Sequence, residues 1–108
     1  MRYITSKGDY QSVYKDIDLN VLKGDLFIFL IRNNNIENSL AVGIVVNRKV
    51  GNAVVRNKVK RRVKAFLRES SLETLDGKDI VIKSKPESGS SNWLEIKKDL
   101  TELFAQIQ

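Results

Sequence analysis

The chain has 108 residues, 42% of them hydrophobic and 30% charged, so it can form one compact domain, 1–108, with a buried core. It contains no Cys and no His, which excludes disulfides, a Cys/His zinc site, a Cys nucleophile and an imidazole base. The net charge is +6, and the sequence shows neither a membrane-spanning apolar run nor the apolar segment of a signal peptide. We expect a basic, cytoplasmic protein.

The first elements in chain order are a short helix and a short strand. Tyr10, Val13 and Tyr14 lie at i, i+3 and i+4, which predicts one apolar stripe on a helix over 9–15. Residues 18–22 fit an edge strand before the Lys-Gly-Asp turn that follows them.

Two apolar strands follow. Leu26–Ile31 is a continuous apolar run, typical of a strand covered on both faces. Leu40–Val46 is a second such run, and the polar Asn33–Asn35 turn lies between them. The pattern predicts that these two strands form an antiparallel pair.

The second half of the chain predicts two longer helices and one strand. A helix pattern runs over 53–70 after the Gly51-Asn52 break, and a third buried strand spans 79–83. A Ser- and Gly-rich loop over 86–91 precedes an amphipathic helix over 92–107. The expected fold is an α+β two-layer sandwich with a mostly antiparallel four-stranded sheet and three helices, in the order α-β-β-β-α-β-α.

The positive charge is concentrated in one segment of 22 residues, 47–68, which holds nine basic residues and no acidic one. The rest of the chain carries a net charge of −3. A concentrated charge of this kind attracts polyanions, whereas a merely solvated helical face usually mixes both signs. The nine residues are Arg48, Lys49, Arg56, Lys58, Lys60, Arg61, Arg62, Lys64 and Arg68.

Helical geometry separates this segment into an apolar stripe and a basic face. The stripe contains Val59, Val63, Phe66 and Leu67. The adjoining face contains Asn57, Lys60, Arg61, Lys64 and Arg68. Such a helix can pack on a sheet while it presents cations to phosphates. Asn57 adds a neutral donor and acceptor that suits a 2′-hydroxyl, base edge or phosphate, and a structural cap or a solvated surface residue is the alternative role.

The segment from Asn47 to Lys64, NRKVGNAVVRNKVKRRVK, closely resembles the signature of the bacterial ribonuclease P protein family. The resemblance extends to the DYQSVY stretch of the first helix, to DIVI followed by Lys85-Pro86, and to the C-terminal helix. Two family arginines are lysines here, Lys58 and Lys64, which keep the charge but lose the bidentate guanidinium.

The resemblance implies that the protein assists a catalytic RNA in removing the 5′ leader from precursor tRNA. The RNA performs the chemistry with its bound Mg²⁺, and the protein itself contributes neither a catalytic residue nor a metal ligand. The resemblance also implies a left-handed β-α-β crossover around the basic helix. The residues expected to dock on the catalytic RNA are Arg48, Lys49, Asn52, Arg56, Asn57, Lys58, Lys60, Arg61, Lys64 and Arg68.

The same resemblance assigns the leader to a cleft lined by Tyr10, Tyr14 and Phe29. Stacking a base on an aromatic ring is worth about 1–3 kcal/mol and tolerates any sequence, as a variable leader requires. Packing in the core is the alternative role for all three side chains.

Three other functions remain open at this point. A general or ribosome-associated RNA-binding module would share the basic face. A DNA-binding helix is less favoured, because a strand and a turn, not a helix, precede the basic segment. A protein-only nuclease is the weakest alternative, because the acidic residues show no clustering suited to metal binding.

Overall fold

The computed structural model describes residues 1–37, 39–72 and 75–107. Within the described residues, five strands and three α-helices are connected by short loops, which include 3₁₀ turns at Arg48–Val50 and Pro86–Ser90. In chain order the elements are β1 (Arg2–Tyr3), α1 (Lys7–Tyr14), β2 (Asn20–Lys23), β3 (Phe27–Asn33), β4 (Leu40–Val45), α2 (Ala53–Glu69), β5 (Lys78–Ser84) and α3 (Trp93–Ala105).

The five strands form one mixed sheet in the order β1-β4-β5-β3-β2, so the prediction of a mostly antiparallel four-stranded sheet is wrong. β5 runs parallel to β4 and antiparallel to β3, while β1 adds a short parallel edge to β4. Ile80, Val81 and Ile82 of β5 are all fully buried. The strand that is last in the sequence therefore lies at the centre of the sheet.

The expected pairing of the two apolar strands β3 and β4 is wrong, because β5 lies between them. The connection after β3 passes the start of β5 instead of forming a tight hairpin. The backbone N–H of Asn34 donates to the carbonyl of Gly77 (2.7 Å), and the N–H of Gly77 donates to the carbonyl of Ser39 (2.6 Å). Because β5 lies between the other two strands, its fully buried centre is paired along both edges, which a β3–β4 hairpin would not allow.

The helices cover both faces of the sheet, so the predicted two-layer arrangement is also wrong. α2 and α3 pack on the face that carries Phe27, Phe29 and Ile31. α1 packs on the opposite face, where Val13 contacts a second buried cluster around Val81. The predicted order also lacks β1, which is too short to produce a periodic signal.

The basic segment forms α2 with the boundaries that the sequence predicts, to within one residue. Asn52 caps the helix by accepting a hydrogen bond from Val55 N (3.0 Å), and the stripe of Val59, Val63, Phe66 and Leu67 is buried. α2 thus connects two parallel neighbouring strands, β4 and β5, in a β-α-β unit. The left-handed sense of this crossover stays a prediction.

Across the described residues, no helix is both long and apolar enough to traverse a bilayer.

A buried carboxylate fastens the β2–β3 turn to α3. Asp99 is 6% exposed, and its two oxygens accept hydrogen bonds from the backbone N–H groups of Asp25, Leu26 and Phe27, each at 3.0 Å. A Cβ on Gly24 would lie 2.6 Å from the same carboxylate, so only glycine allows this approach. The interaction holds α3 at one end of the sheet.

We expect Asp99→Ala to lower the free energy of unfolding by about 3 kcal/mol, because it leaves three backbone donors without an acceptor. Urea denaturation measures the change, and Glu102→Ala on the exposed side of α3 is the matched control. An equal effect of both substitutions would contradict the role assigned to Asp99.

Candidate nucleic-acid interface

The exposed polar face of α2 forms a basic ridge, as the sequence predicts. Asn57, Lys60, Arg61, Lys64 and Arg68, which constitute this ridge, are all exposed, and so is Lys58 beside them. Both ion pairs found among the described residues belong to Arg32, so no carboxylate described in the structure neutralises the ridge. The arrangement leaves these charges available to an external polyanion.

The residues before the ridge have mixed roles. Arg48 and Lys49 are exposed on the 3₁₀ turn that leads into α2. Asn52 is exposed as well, but its side-chain oxygen is already used as the helix cap. Arg56 is half-buried, and its Nε is enclosed without a hydrogen-bond partner in the described structure. These residues extend the positive surface toward the start of α2.

One side of the basic ridge borders a groove of about 420 Å³, the Tyr3 groove. Lys64 Nζ lies 5.2 Å from the centroid of the Tyr3 ring, a cation–π distance. The groove is lined by Tyr3, Ile4, Thr5, Tyr10, Ile44, Lys60 and Lys64. It therefore connects the ridge on α2 with the first tyrosine of α1.

The other side of α2 borders an open groove of about 500 Å³ against the start of α3, the Trp93 groove. Its lining residues are Lys58, Arg61, Arg62, Ala65, Arg68 and Trp93. Arg62 is half-buried, and its Nη1 donates to the carbonyl of Ser91 (2.9 Å), so this arginine ties α2 to α3.

The two tyrosines of α1 lie side by side over the sheet and form the tyrosine cleft with the strand residues beneath them. Their ring centroids are 6.3 Å apart, and Tyr14 is 42% exposed. Lys83 Nζ lies 5.9 Å from the centroid of the Tyr14 ring. Ile28 and Val45, which are the cross-strand neighbours of Lys83, are only half-buried. The cleft thus offers an aromatic wall, an apolar floor and a cation.

Tyr10 is held in place by the edge of β4. Its hydroxyl accepts a hydrogen bond from Ile44 N (3.1 Å) and donates to the carbonyl of the same residue (3.4 Å). A Cβ on Gly43 would lie 2.5 Å from the Tyr10 ring, so glycine at this position lets the ring reach the strand. Tyr10 therefore forms the fixed part of the cleft and Tyr14 its exposed part.

Both phenols stay neutral at physiological pH. Burial raises the pKa of Tyr10, and the hydrogen bond with Ile44 only partly offsets this increase. Burial also raises the pKa of Tyr14, with an additional contribution from neighbouring Tyr10. Neither ring presents a negative charge to a phosphate backbone.

The prediction that Phe29 lines the leader cleft is wrong. Phe29 has no exposed surface, and its ring packs edge-on against Phe104, with centroids 4.8 Å apart. Side chains alternate along a strand, so Phe29 points to the face beneath α2 and α3, whereas Ile28 and Leu30 point toward α1. The run Leu26–Ile31 is accordingly covered completely on only one face.

The sequence prediction missed Lys83 and Ile28 in the tyrosine cleft, and Tyr3 in the Tyr3 groove. Strand alternation relative to Val81 could have grouped Lys83 with Ile28 once the register of β3 and β5 was known. Tyr3 gave no signal, because β1 has only two residues.

The described residues include no group of three or more acidic side chains arranged to hold a metal ion. A helix that presents an uncompensated basic ridge, together with an aromatic cleft on the other face of the sheet, is an arrangement typical of nucleic-acid-binding proteins.

Comparison with known proteins identifies the family. The family model for ribonuclease P matches residues 2–108. The ribonuclease P protein component of Bacillus velezensis is 34% identical over 96 residues, covering 89% of this chain and 80% of that protein. The component from Kocuria rhizophila is 43% identical over 58 residues, so there the match spans about half of each chain (54% and 51%).

Solved structures agree with the sequence comparison. The ribonuclease P protein from Thermotoga maritima superimposes with a TM-score of 0.82 at 26% identity, covering 98% of this chain and 97% of that one. The Staphylococcus aureus protein gives a TM-score of 0.80 at 27% identity, with coverages of 95% and 92%. The chain belongs to the ribonuclease P protein family, a component of the tRNA-processing ribonuclease, which confirms the resemblance seen in the sequence.

We expect Gly43→Ala to displace Tyr10 and to destabilise the protein by about 1–3 kcal/mol, because the added methyl group overlaps the ring. Gly8→Ala is the matched control in α1, where a Cβ meets nothing within 4 Å. It should stabilise the helix by about 0.5–1 kcal/mol. Thermal unfolding compares the two, and opposite shifts in Tm are the expected result.

Proposed function

We propose that the basic ridge docks on the catalytic RNA of ribonuclease P, while the tyrosine cleft holds the 5′ leader of precursor tRNA. The observation that carries this division is the placement of the two surfaces. The ridge lies on α2, which packs on one face of the sheet, and the cleft lies beneath α1 on the other face. One small domain can thereby contact two RNA segments at once.

Docking through the ridge is supported by its charge. Six exposed polar side chains follow one another along α2, and five of them are cationic: Asn57, Lys58, Lys60, Arg61, Lys64 and Arg68. Neutralising phosphates with such residues releases counterions and makes binding strongly dependent on salt. Arg48, Lys49, Asn52 and Arg56 extend the same surface at the start of the helix.

Leader binding in the tyrosine cleft is supported by contacts that do not depend on the base sequence of the leader. A base can stack on the exposed Tyr14 ring, and Lys83 beside it can meet the adjoining phosphate. Tyr10 and the half-buried Ile28 complete the wall and floor. A leader of any sequence therefore finds the same contacts.

The chemical step is assigned to the RNA. In this proposal the RNA and its bound Mg²⁺ activate the water that cleaves the precursor, and the protein binds and orients the two RNA segments. The holoenzyme acts in the cytoplasm, with precursor tRNA as its substrate.

The second candidate is a general or ribosome-associated RNA-binding module without cleavage activity. The basic ridge would serve it equally well. The tyrosine cleft on the opposite face favours the ribonuclease P role, because a module that only docks on folded RNA does not need a separate site for a single strand.

Reconstitution with the catalytic RNA tests the proposal directly. We expect the chain to lower the KM for leader-bearing precursor tRNA at low Mg²⁺, and to do so much less for a leaderless substrate. Measured cleavage rates that show no gain at low Mg²⁺ would overturn the assignment in favour of the second candidate.

Two substitutions separate the surfaces. Lys60→Glu on the basic ridge should weaken binding to the catalytic RNA and lower the salt slope of log Kd by about one. Tyr14→Ala should raise the KM for leader-bearing substrate by about tenfold, since one stacking contact is lost. Filter binding and initial cleavage rates measure the two effects.

Lys98→Glu, an exposed position on α3 outside both surfaces, is the charge-matched control for Lys60→Glu. The leaderless substrate is the control for Tyr14→Ala. If each substitution impaired RNA docking and leader binding equally, the proposed division between the surfaces would be incorrect.

A further inference from the structure

The Trp93 groove is a second site that combines cations with an aromatic ring, and it shares no residue with the tyrosine cleft. The groove is lined by Lys58, Arg61, Arg62, Ala65, Arg68 and Trp93. Four of these six residues are cationic, and none is acidic. Lys97 Nζ adds a further cation 5.5 Å from the centroid of the Trp93 ring. An aromatic ring surrounded by cations is suited to a base with its flanking phosphates.

The backbone that carries the Trp93 ring is held in position before any ligand binds. Trp93 is the first residue of α3, directly after the Asn92 cap. Asn92 and Glu95 form a reciprocal capping box with hydrogen bonds of 2.8 and 3.0 Å. The bond from Arg62 to the carbonyl of Ser91 then ties this end of α3 to α2. A ligand gains stacking area here without ordering a flexible loop.

We propose that the Trp93 groove binds an unpaired nucleotide of the RNA on which α2 docks, with the base on Trp93 and the phosphates on Lys58, Arg61 and Arg68. The inference rests on the docking role proposed for the basic ridge, which it deepens by adding a contact to a base. It concerns the α2 side of the sheet and does not involve the leader.

RNA is the occupant that the surroundings favour. Arg61 and Arg68 belong to the basic ridge and also line the groove, so the two surfaces are continuous. A strand whose phosphates follow α2 passes directly beside Trp93. An acidic protein segment would use the cations but would gain nothing specific from an indole ring among them.

Trp93 is the only tryptophan of the chain, so its fluorescence reports on this groove alone. The full-length Tyr14→Ala variant, in which the tyrosine cleft has lost its exposed stacking ring, is titrated with an oligouridylate of about ten nucleotides at low salt, a length within the range that single-strand sites occupy. An abasic oligomer of the same length is the control. Fluorescence anisotropy of an end label on each oligomer measures binding separately.

We expect the oligouridylate to quench Trp93 fluorescence in step with binding, and the abasic oligomer to bind without comparable quenching. Binding of the oligouridylate without a change at Trp93 would overturn the proposal. Equal quenching by both oligomers would also overturn it, because the groove would then respond to phosphates alone, as it would to an acidic peptide.

Substitutions extend the test to the catalytic RNA. Trp93→Leu, which removes the stacking surface, should weaken binding by about tenfold, whereas Trp93→Phe should weaken it by less than about threefold. Circular dichroism melting establishes that both variants fold. A folded Trp93→Leu variant with unchanged affinity would refute the base contact.

Different results would contradict the base contact at Trp93 and the ribonuclease P role on which it rests. If the groove acts as described, Trp93→Leu weakens docking but leaves unchanged the ratio of KM values for leader-bearing and leaderless substrates. A loss of leader preference on this substitution would contradict the inference. If the wild-type chain instead gave no gain in cleavage, the ribonuclease P role would fail, and the quenching result would still decide the role of Trp93.

Discussion

The central position of β5 is the constraint on which the rest of the structure depends. Its apolar residues are fully buried between β3 and β4, with α2 and α3 on one face of the sheet and α1 on the other. Because α2 connects β4 to β5, it has to lie across the sheet along the face that β5 helps to build. The position of the basic ridge is thus a consequence of strand order, and so is its placement on the face of the sheet opposite the tyrosine cleft.

In α2, electrostatic repulsion along the basic ridge opposes helix formation, and packing of the helix on the sheet favours it. Like charges spaced three or four residues apart, such as Lys60, Lys64 and Arg68, repel one another and disfavour an isolated helix. The helix forms because its other side buries Val59, Val63, Phe66 and Leu67, which outweighs that repulsion. An RNA that supplies phosphates relieves the repulsion, so binding and helix stability reinforce each other.

Local patterns predicted the three helices and four of the strands well, because periodicity and caps are properties of neighbouring residues. The pairing of the strands could not be predicted, since choosing β5 as the partner of both β3 and β4 depends on burial over the whole chain. Phe29 shows the same limit. A continuous apolar run does not indicate which alternate residues face the helices, so it gives no means of correcting the resemblance, which implies Phe29 in the cleft and leaves out Ile28. The Trp93 groove could not be predicted, because it depends on how α2 and α3 lie relative to each other. The spacing of residues within either helix carries no information on that arrangement.

The hydroxyl of Tyr10 also protects the sheet from other chains. β1 ends its pairing with β4 where Ile4 N donates to the carbonyl of Val42 (2.8 Å), and the next outward-pointing backbone groups of β4 belong to Ile44. Tyr10 occupies both of them, as a further residue of β1 would do. An unpaired strand edge is a template for aggregation. One phenol therefore continues the sheet where its edge strand ends, and the ring that shapes the cleft also keeps the edge from recruiting a second molecule.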